Sequence, residues 1–383
     1  MIVTTLTSPA KDLAGIALKA SLERQEKLAL SFSELTESER QQLMVLLDNL
    51  DAIVVSSPMA VETLIDNGAL LTLTTQLHKQ FHQATVDQAM IAIREAREVH
   101  WRAGRFDFKT SSKPVIYGIL NVTPDSFYDG GRYQEPTAVL NHVTAMVEAG
   151  ADVIEIGGQT TRPGFTPIDA TTEMTRVVPL LRAIKQHFPE VAIAVDTYKY
   201  PVMKAVLDEG VDIINDVNAF TDDPAKLTLL APQAVGLLTM HASRGKEYQN
   251  LTQAMSHFFS ENLAALTAAG IDRERIALDQ GIGYAKIADG YQDFTMMRNL
   301  DRFLNLKRPL MIAISRKGFG HKLFGLAKDD RLSVTLVAEA YMYLHGGRIL
   351  RVHDVSETVQ LVKLLQTIEQ SFWFPDREEP RQV

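Results

Sequence analysis

The chain has 383 residues, with 39 Lys and Arg against 47 Asp and Glu, so its net charge is −8 and it is 46% hydrophobic. This acidic balance argues against a nucleic-acid surface, because such a surface needs a basic face to release phosphate counterions. Without cysteine, the chain cannot form disulfides, bind zinc through thiolates or use a thiol nucleophile.

The first 110 residues carry the patterns of a small α+β domain. Thr36, with Glu39 three residues later, is a capping-box pattern at the start of a helix. Helical periodicity is found over 31–47 and 86–100, and strand-like apolar runs over 51–56 and 69–74. Because one core rarely grows beyond about 250 residues, we predict two domains: an N-terminal α+β extension over 1–110, without identifiable chemistry, and a second domain over 111–383. Phe106 and Phe108, near the boundary, are candidates to fill the bottom of the second domain.

After residue 113 the sequence repeats a short apolar run, a polar turn and a helical stretch. Eight runs are predicted as strands: 115–120, 153–156, 192–195, 213–214, 235–239, 276–278, 310–314 and 349–352. They are separated by roughly 20 to 40 residues, as βα units are, and apolar runs without alternation suit parallel strands buried on both faces. The predicted fold class is therefore α/β: a (β/α)8 TIM barrel preceded by the small α+β domain.

Polar residues follow nearly every predicted strand. In chain order these are Asn121, the segment 157–164, Asp196, Asn215, Met240 with His241, Asp279, Ser315 to Lys317, and Arg351 with His353. Taken singly each is weak, because a lone Asp after a strand is more often a helix cap and a lone His is more often a buried structural residue. Barrel enzymes, however, build their active sites at the carboxyl ends of the strands. Eight polar ends around one mouth therefore predict a shared binding cavity.

The predicted cavity has two chemically different halves. One half offers acceptors and an amide for a flat heterocycle rich in N–H donors, from Asp196, Asn215 and Asp279. The other offers donors and positive charge for a phosphate or carboxylate, from Asn121, Thr161, Arg162, Arg351 and His353. The sequence contains no Walker A pattern, no GxGxxG after a strand and no HExxH pair. We therefore do not expect the anion to bind in either of the common nucleotide-binding loops. We also do not expect hydrolysis by a protein-bound zinc ion.

Six motifs together resemble the dihydropteroate synthase family, a pterin-binding barrel family, over about residues 113–365. They are GILNVTPDSF (118–127), TTRPG (160–164), VDT (195–197), IND (214–216), SRK (315–317) and RVH (351–353). The resemblance implies an enzyme of folate synthesis. It would join p-aminobenzoate to 6-hydroxymethyl-7,8-dihydropterin pyrophosphate, forming dihydropteroate and releasing pyrophosphate, with Mg²⁺ assisting.

The resemblance also implies a role for each matching residue. Asn121 would lie near the pyrophosphate and its Mg²⁺, with Thr161, Arg351 and His353 as further pyrophosphate contacts. The pterin would be held by Asp196, Asn215, Asp279 and Lys317, with Met240 lining its ring, and the p-aminobenzoate site would be bordered by Thr161, Arg162, Pro163 and Ser315. The residues expected to act in catalysis are Asp196, Asn121, Lys317, Arg351 and His353.

Five positions depart from the family pattern: Gln159, Gln280, Tyr284, Ala285 and Gly318. They put in question the shape of the pterin rim, and with it the sensitivity to sulfonamides. Two other functions remain open. One is a methyltetrahydrofolate methyltransferase, which shares the pterin-binding barrel but needs no pyrophosphate loop. The other is a non-catalytic paralogue that keeps the pterin pocket as a binding module.

Partners and location are expected from coarser features. We expect small-molecule substrates and, from the acidic charge balance, no nucleic-acid partner. We expect no membrane partner, because no run approaches the roughly 18 apolar residues of a membrane span. The N-terminus lacks a basic segment followed by an apolar one, so a cytoplasmic location is expected. The apolar segment 331–344 and the resemblance together predict a homodimer.

Overall fold

The computed structural model describes residues 1–7, 12–24, 27–122, 136–159, 166–243, 246–284 and 290–374. The chain forms two compact units, one of Val99–Val362 and one of Met1–Glu98 together with Lys363–Val383. The division thus falls at Glu98, earlier than the predicted boundary at 110, and the end of the chain belongs to the N-terminal unit.

The N-terminal unit is an antiparallel sheet with helices. Its strands are β1 (Ile2–Thr5), β2 (Lys27–Ser33), β3 (Ile53–Ser56) and β4 (Ala60–Asp66), in the order β1-β2-β4-β3. Its helices are α1 (Leu13–Glu23), α2 (Glu37–Asp48), α3 (Ala69–Phe81) and α4 (Ala84–Arg97). The predicted capping box is present, because the Thr36 hydroxyl accepts from the Glu39 N–H and the Glu39 carboxylate accepts from the Thr36 N–H.

The predicted strand over 69–74 is wrong, since this segment is the start of helix α3. Ala69, Leu70, Leu73 and Leu77 are buried on one face of the helix. Leu70, Leu73 and Leu77 are three and four residues apart, which puts them on one side of a helix, whereas in a strand Leu70 would lie on the face opposite Leu73. Phe372 and Phe374 pack against the same core, which is why the end of the chain groups with this unit.

The second unit is the predicted barrel. All eight predicted strands are present, and every strand end lies within two residues of its prediction. The strands are β7 (Val115–Asn121), β8 (Val153–Gly157), β9 (Ala192–Asp196), β10 (Ile213–Asp216), β11 (Gly236–Met240), β12 (Ile276–Asp279), β13 (Leu310–Ile312) and β14 (Ile349–Val352). Each pairs in parallel with the next, and β14 pairs with β7 to close the barrel. The (β/α)8 fold is confirmed.

Helices surround this barrel. They are α5 (Pro136–Glu148), α6 (Ala170–His187), α7 (Tyr200–Asp208), α8 (Pro224–Leu230), α9 (Leu251–Ala268), α10 (Tyr291–Arg298), α11 (Phe319–Phe324), α12 (Leu332–Leu344) and α13 (Val355–Glu369). Short 3-10 helices at Arg273–Arg275, Leu300–Leu306 and Lys328–Arg331 complete the connections. Over the ranges that the structure describes, no helix has both the length and the apolar character to cross a bilayer.

A hairpin closes the amino-terminal end of the barrel. Its strands β5 (His100–Ala103) and β6 (Phe106–Lys109) carry Trp101, which is fully buried and donates from its indole N–H to the carbonyl oxygen of Arg275 at 3.0 Å. Phe106 and Phe108 pack against the same inner cluster, as predicted. Because the hairpin packs against the barrel, it belongs to the second unit, which begins at Val99. The residues in the cluster include the first of strands β7, β8 and β9, so the opposite, carboxyl end of the barrel remains as the mouth.

Candidate active site

The structure places the predicted polar residues at the carboxyl ends of the barrel strands. Asn121, Asp196, Met240 and Asp279 are the last residues of their strands, and Asn215 is the last but one in β10. Ser315 and Lys317 follow β13, Arg351 lies within β14 and His353 comes directly after that strand. The predicted residues Thr161, Arg162 and Pro163 lie outside the described part of the chain.

Arg351 lies between two carboxylates. Its Nε is 2.7 Å from Oε2 of Glu155, and its Nη2 is 3.4 Å from Oδ2 of Asp196. Asn215 joins the cluster, because its Nδ2 donates to Oε1 of Glu155 at 3.1 Å. Glu155 itself is 0% exposed. A buried charge must be paired, and here the guanidinium of Arg351 supplies the pairing.

Sequence reasoning missed Glu155. It stands in the middle of β8, in the run Val153–Gly157, where its neighbours are apolar. A charged residue inside such a run was the available signal, since charges are almost never buried without a partner. Tyr117 of β7 is fully buried nearby, and burial together with the negative charge of Glu155 raises the pKa of its hydroxyl.

The pKa of Asp196 is raised to about 8, first by burial and then by the negative charge of Glu155, while Arg351 acts in the opposite direction. Oδ1 of Asp196 and Oδ1 of Asn215 are both buried and have no hydrogen-bond partner among the residues that the structure describes. Buried polar atoms are normally paired. Two unpaired atoms at neighbouring strand ends therefore indicate contact points for a ligand.

Asp279 and Lys317 place a second set of opposite charges at the mouth, and each influences the pKa of the other. Burial lowers the pKa of Lys317 to about 8 against the opposing effect of Asp279, and burial raises the pKa of Asp279 against that of Lys317. The Lys317 ammonium donates to the carbonyl oxygen of Ile282 and lies 5.4 Å from the centre of the Tyr284 ring. Gly283, with φ +92°, leaves the room for this side chain, since a Cβ there would stand 2.9 Å from Lys317 Cδ.

Ser315 and His353 are joined by two hydrogen bonds. The Ser315 hydroxyl oxygen accepts from the His353 backbone N–H at 3.1 Å and lies 2.9 Å from Nδ1 of the ring. These two contacts fix the orientation of the His353 ring relative to Ser315 at the mouth of the barrel.

Asn121 lies beside Gly157, where an added Cβ would be 3.1 Å from the Asn121 Oδ1. Among the described residues, no group of three or more His, Asp or Glu side chains could hold a metal ion. Mg²⁺ is often bound by one or two protein oxygens, with substrate phosphates and waters completing its shell. A single amide oxygen at the anion half of the mouth is compatible with that mode of binding.

Met240 is buried at the end of β11, between strands that carry Asn215 and Asp279. The next residue, His241, has a pKa lowered to about 4 by burial, so its ring is neutral at pH 7. Its Nε2 lies 3.2 Å from the hydroxyl of Tyr248. His241, the polar residue that follows this strand, is therefore a packed and uncharged side chain at pH 7.

Four of the five departures from the family pattern are described, and one of them is Tyr284, whose ring lies beside Lys317. Oε1 of Gln159 accepts from Lys199 Nζ at 2.7 Å and from the Ile168 N–H at 2.8 Å, so the side chain ties the residues after β8 together. Gln280 is buried and donates to the carbonyl oxygen of Met296 at 2.9 Å. No atom lies within 4 Å of a Cβ added to Gly318. Ala285 lies outside the described residues.

Known proteins are similar to this chain in sequence and in the fold of its barrel. A family model described as a pterin binding enzyme matches residues 117–353. Dihydropteroate synthase of Streptococcus pyogenes is 36% identical over 263 residues, which are 68% of this chain and 98% of that protein. The structure of Xanthomonas albilineans dihydropteroate synthase with 4-aminobenzoic acid aligns with a TM-score of 0.67 at 30% identity, over 72% of this chain and 99% of that one. The Yersinia pestis enzyme in a sulfonamide drug complex aligns with a TM-score of 0.65 at 31% identity, over 71% and 100%.

Proposed function

This chain belongs to the dihydropteroate synthase family, and we propose that its strand-end site joins p-aminobenzoate to 6-hydroxymethyl-7,8-dihydropterin pyrophosphate. The enzyme forms 7,8-dihydropteroate and releases pyrophosphate. The observation that supports this use of the site is the buried cluster of Asp196, Asn215, Glu155 and Arg351, in which two polar atoms lack partners among the described residues.

The pterin half of the proposed site consists of Asp196, Asn215, Asp279 and Lys317, with Met240 along the ring. A pterin presents several N–H donors and ring acceptors in one plane. Carboxyl and amide oxygens accept from such donors, and the Lys317 ammonium donates to an acceptor. The free Oδ1 atoms of Asp196 and Asn215 would be satisfied by these contacts, which supports this orientation.

The reaction separates charge, and the two halves of the site would stabilise opposite ends. Breaking the C–O bond builds negative charge on the pyrophosphate and positive charge on the pterin methylene carbon. Asp196 and Asp279 would stabilise the positive end, and Arg351 and His353 the negative end. The Nη1 of Arg351 has no hydrogen bond to the described residues, while its Nε is held by Glu155. This leaves one edge of the guanidinium for an anion.

The nucleophile needs little help from the protein. The amino group of p-aminobenzoate is neutral at pH 7 and attacks the methylene carbon with its lone pair, losing a proton after the new C–N bond forms. A dedicated general base is therefore not required. Ser315 would border this substrate, together with Thr161, Arg162 and Pro163, and a sulfonamide would compete for the same place.

Magnesium is proposed as the cofactor. Asn121 would hold it through the amide oxygen, and the bound ion would neutralise charge on the pyrophosphate. Among the proposed site residues, Asn121 is the one assigned to the metal, so its replacement should change the Mg²⁺ requirement.

A homodimer is proposed through helix α12. Val337 and Leu344 on this helix are 72% and 53% exposed, and Tyr341 is 40% exposed. A large apolar surface on a helix suits an interface between identical chains. Sedimentation of the protein, compared with that of a Val337→Glu variant, tests this, and a wild-type monomer would contradict it.

The deciding experiment measures pyrophosphate release by the full-length protein with dihydropterin pyrophosphate, p-aminobenzoate and Mg²⁺, omitting each in turn. Release that needs both substrates, with dihydropteroate formed, is the expected result, and omission of Mg²⁺ tests the cofactor separately. A sulfonamide added at rising concentrations should raise the KM for p-aminobenzoate. Pterin binding without release would favour the non-catalytic paralogue, and methyl transfer from methyltetrahydrofolate would favour the methyltransferase.

A further inference from the structure

Arg316 stands between two residues of the proposed site, yet its own side chain has other partners. Its Nε and Nη2 donate to Oδ2 and Oδ1 of Asp354, each at 2.8 Å, and its Nη1 donates to the carbonyl oxygen of Asp329 at 2.8 Å. The Arg316 and Asp354 side chains are 19% and 16% exposed. The guanidinium is thus occupied by protein oxygens, so it is not available as a second cation for an anionic substrate.

The backbone of Arg316 is held as firmly as its side chain. Its N–H donates to the Thr335 hydroxyl at 3.1 Å, and its carbonyl oxygen accepts from Arg331 Nη1 at 3.1 Å. Its φ is +52°, in the left-handed region that a side chain with a Cβ disfavours. Such a conformation persists where the surroundings over-determine it, which is frequent at functional sites.

The two hydrogen bonds from the Arg316 guanidinium to the Asp354 carboxylate, called the fork below, lie beside the contact between Ser315 and His353. Two consecutive residues after β13 thus bind two consecutive residues after β14: Ser315 pairs with His353 and Arg316 with Asp354. Two such contacts side by side fix the position of the segment after β13 relative to the segment after β14. Lys317, the next residue, extends to the carbonyl oxygen of Ile282 on the other side.

We propose that Arg316 is a positioning residue, whose fork on Asp354 holds the left-handed turn that directs Ser315, Lys317 and His353 toward the mouth of the barrel. This inference rests on the proposed function, because it is the pterin, p-aminobenzoate and pyrophosphate contacts that the turn would align. Reaction rates are sensitive to displacements of about 1 Å at such contacts. Arg316 would therefore affect turnover without touching a substrate.

Two substitutions remove the fork in different ways. Arg316→Lys keeps the positive charge but cannot bind both oxygens of Asp354, and Asp354→Asn keeps the shape but removes one acceptor and the negative charge. Arg316→Gly keeps the left-handed turn accessible, since glycine adopts positive φ freely, while removing the fork. Arg182→Lys is the matched control, because Arg182 Nε binds Glu209 at 2.7 Å in a similar pair on the outer helices.

The readouts are kcat and KM for both substrates, calorimetric affinity for 6-hydroxymethyl-7,8-dihydropterin, and thermal unfolding. We expect Arg316→Lys, Arg316→Gly and Asp354→Asn each to lower kcat/KM by about tenfold or more, with weaker pterin affinity. The double variant Arg316→Lys/Asp354→Asn should be no worse than either single variant, because both break one contact. The control should stay within about twofold of the wild type.

The proposal is overturned if Arg316→Gly has wild-type kinetics, or if the two single losses multiply in the double variant. It is also overturned if pterin affinity is unchanged and the loss of activity merely follows the loss of folded protein. Should the Arg316 variants fail to fold, Asp354→Asn decides alone. Failure of the proposed function is a separate result, since the wild type would then form no dihydropteroate, while pterin affinity would still report on the turn.

Discussion

Glu155 and Arg351 lie 196 positions apart in the chain and meet inside the barrel, with 2.7 Å between Oε2 and Nε. They belong to β8 and β14, the two strands on either side of β7. The same carboxylate accepts from Asn215, and the same guanidinium reaches Asp196. One buried ion pair therefore orients three of the proposed substrate contacts.

Asp196→Asn is expected to lower kcat by about ten- to a hundredfold. The amide keeps the size of the side chain but cannot carry the negative charge that stabilises the developing pterin cation, and one charged hydrogen bond contributes about 1.5 to 3 kcal/mol. Steady-state kinetics with both substrates measure this. The prediction is contradicted if kcat is unchanged and only the KM for p-aminobenzoate rises.

The pH profile of the same variant gives a second check. With a pKa of about 8 for Asp196, the ionised form gains population as the pH rises toward 8. With a pKa of about 8 for Lys317, the charged form is lost above it. The wild-type kcat/KM should therefore pass through a maximum near pH 8, with apparent pKa values that belong to the coupled cluster. Asp196→Asn should lose the rising limb and keep the falling one.

Arg351→Ala is expected to weaken pyrophosphate binding by about 1.5 to 3 kcal/mol, and also to destabilise the barrel. The second effect arises because Glu155 would remain buried without its cation, which typically costs about 3 to 5 kcal/mol. The double variant Arg351→Ala/Glu155→Gln should regain much of the stability but none of the affinity. Thermal unfolding and calorimetry with pyrophosphate and Mg²⁺ separate the two effects. Recovery of both properties in the double variant would rule out a role for Arg351 in binding the anion.

Asn121→Ala should raise the Mg²⁺ concentration needed for half-maximal activity by about tenfold, with little change in stability. The reason is that the amide oxygen is the proposed protein ligand, while phosphate oxygens and waters supply the rest of the shell. Calorimetric titration of pyrophosphate with and without Mg²⁺ provides a readout independent of turnover. Equal Mg²⁺ dependence in the variant and the wild type would remove Asn121 from the metal site.

Glu339→Gln should make the protein more stable at alkaline pH. Glu339 is fully buried on α12, accepts from the Thr358 hydroxyl at 3.2 Å, and has its pKa raised from 4.5 to about 8 by burial. Below about pH 4.5 the carboxyl is protonated in both folded and unfolded chains. Between about pH 4.5 and 8 it ionises only in the unfolded chain, so the wild type loses stability as the pH rises through this window.

The glutamine variant cannot ionise, so this loss should be absent from its stability profile. At pH 8.5 the free energy of unfolding of the variant should exceed that of the wild type, relative to their difference at pH 4, by a margin on the order of 5 kcal/mol. Urea unfolding of both proteins at several pH values tests this. Parallel pH dependences would show that Glu339 does not titrate as described.

The sequence alone determined the barrel and the edge at which its chemistry collects. Strands buried on both faces must be apolar along their whole length, so eight apolar runs marked the eight strands. Residues just past such runs face the mouth of a parallel barrel, which is why Asp196, Asp279 and Lys317 could be assigned to one site before the fold was known. The capping box at Thr36 was equally local, because its hydrogen bonds join residues three apart.

Only the tertiary structure decided which of these residues interact. Closure of the barrel pairs β14 with β7, and this long-range contact brings Arg351 to Glu155, a residue that looks misplaced in an apolar strand until its partner is known. The segment 69–74 became a helix because the core lies along one side of it, a fact that its alternating Leu and Thr residues do not encode. Arg316 likewise turns away from the site toward Asp354, since its direction depends on a left-handed backbone conformation held by Thr335, Arg331 and Asp354 together.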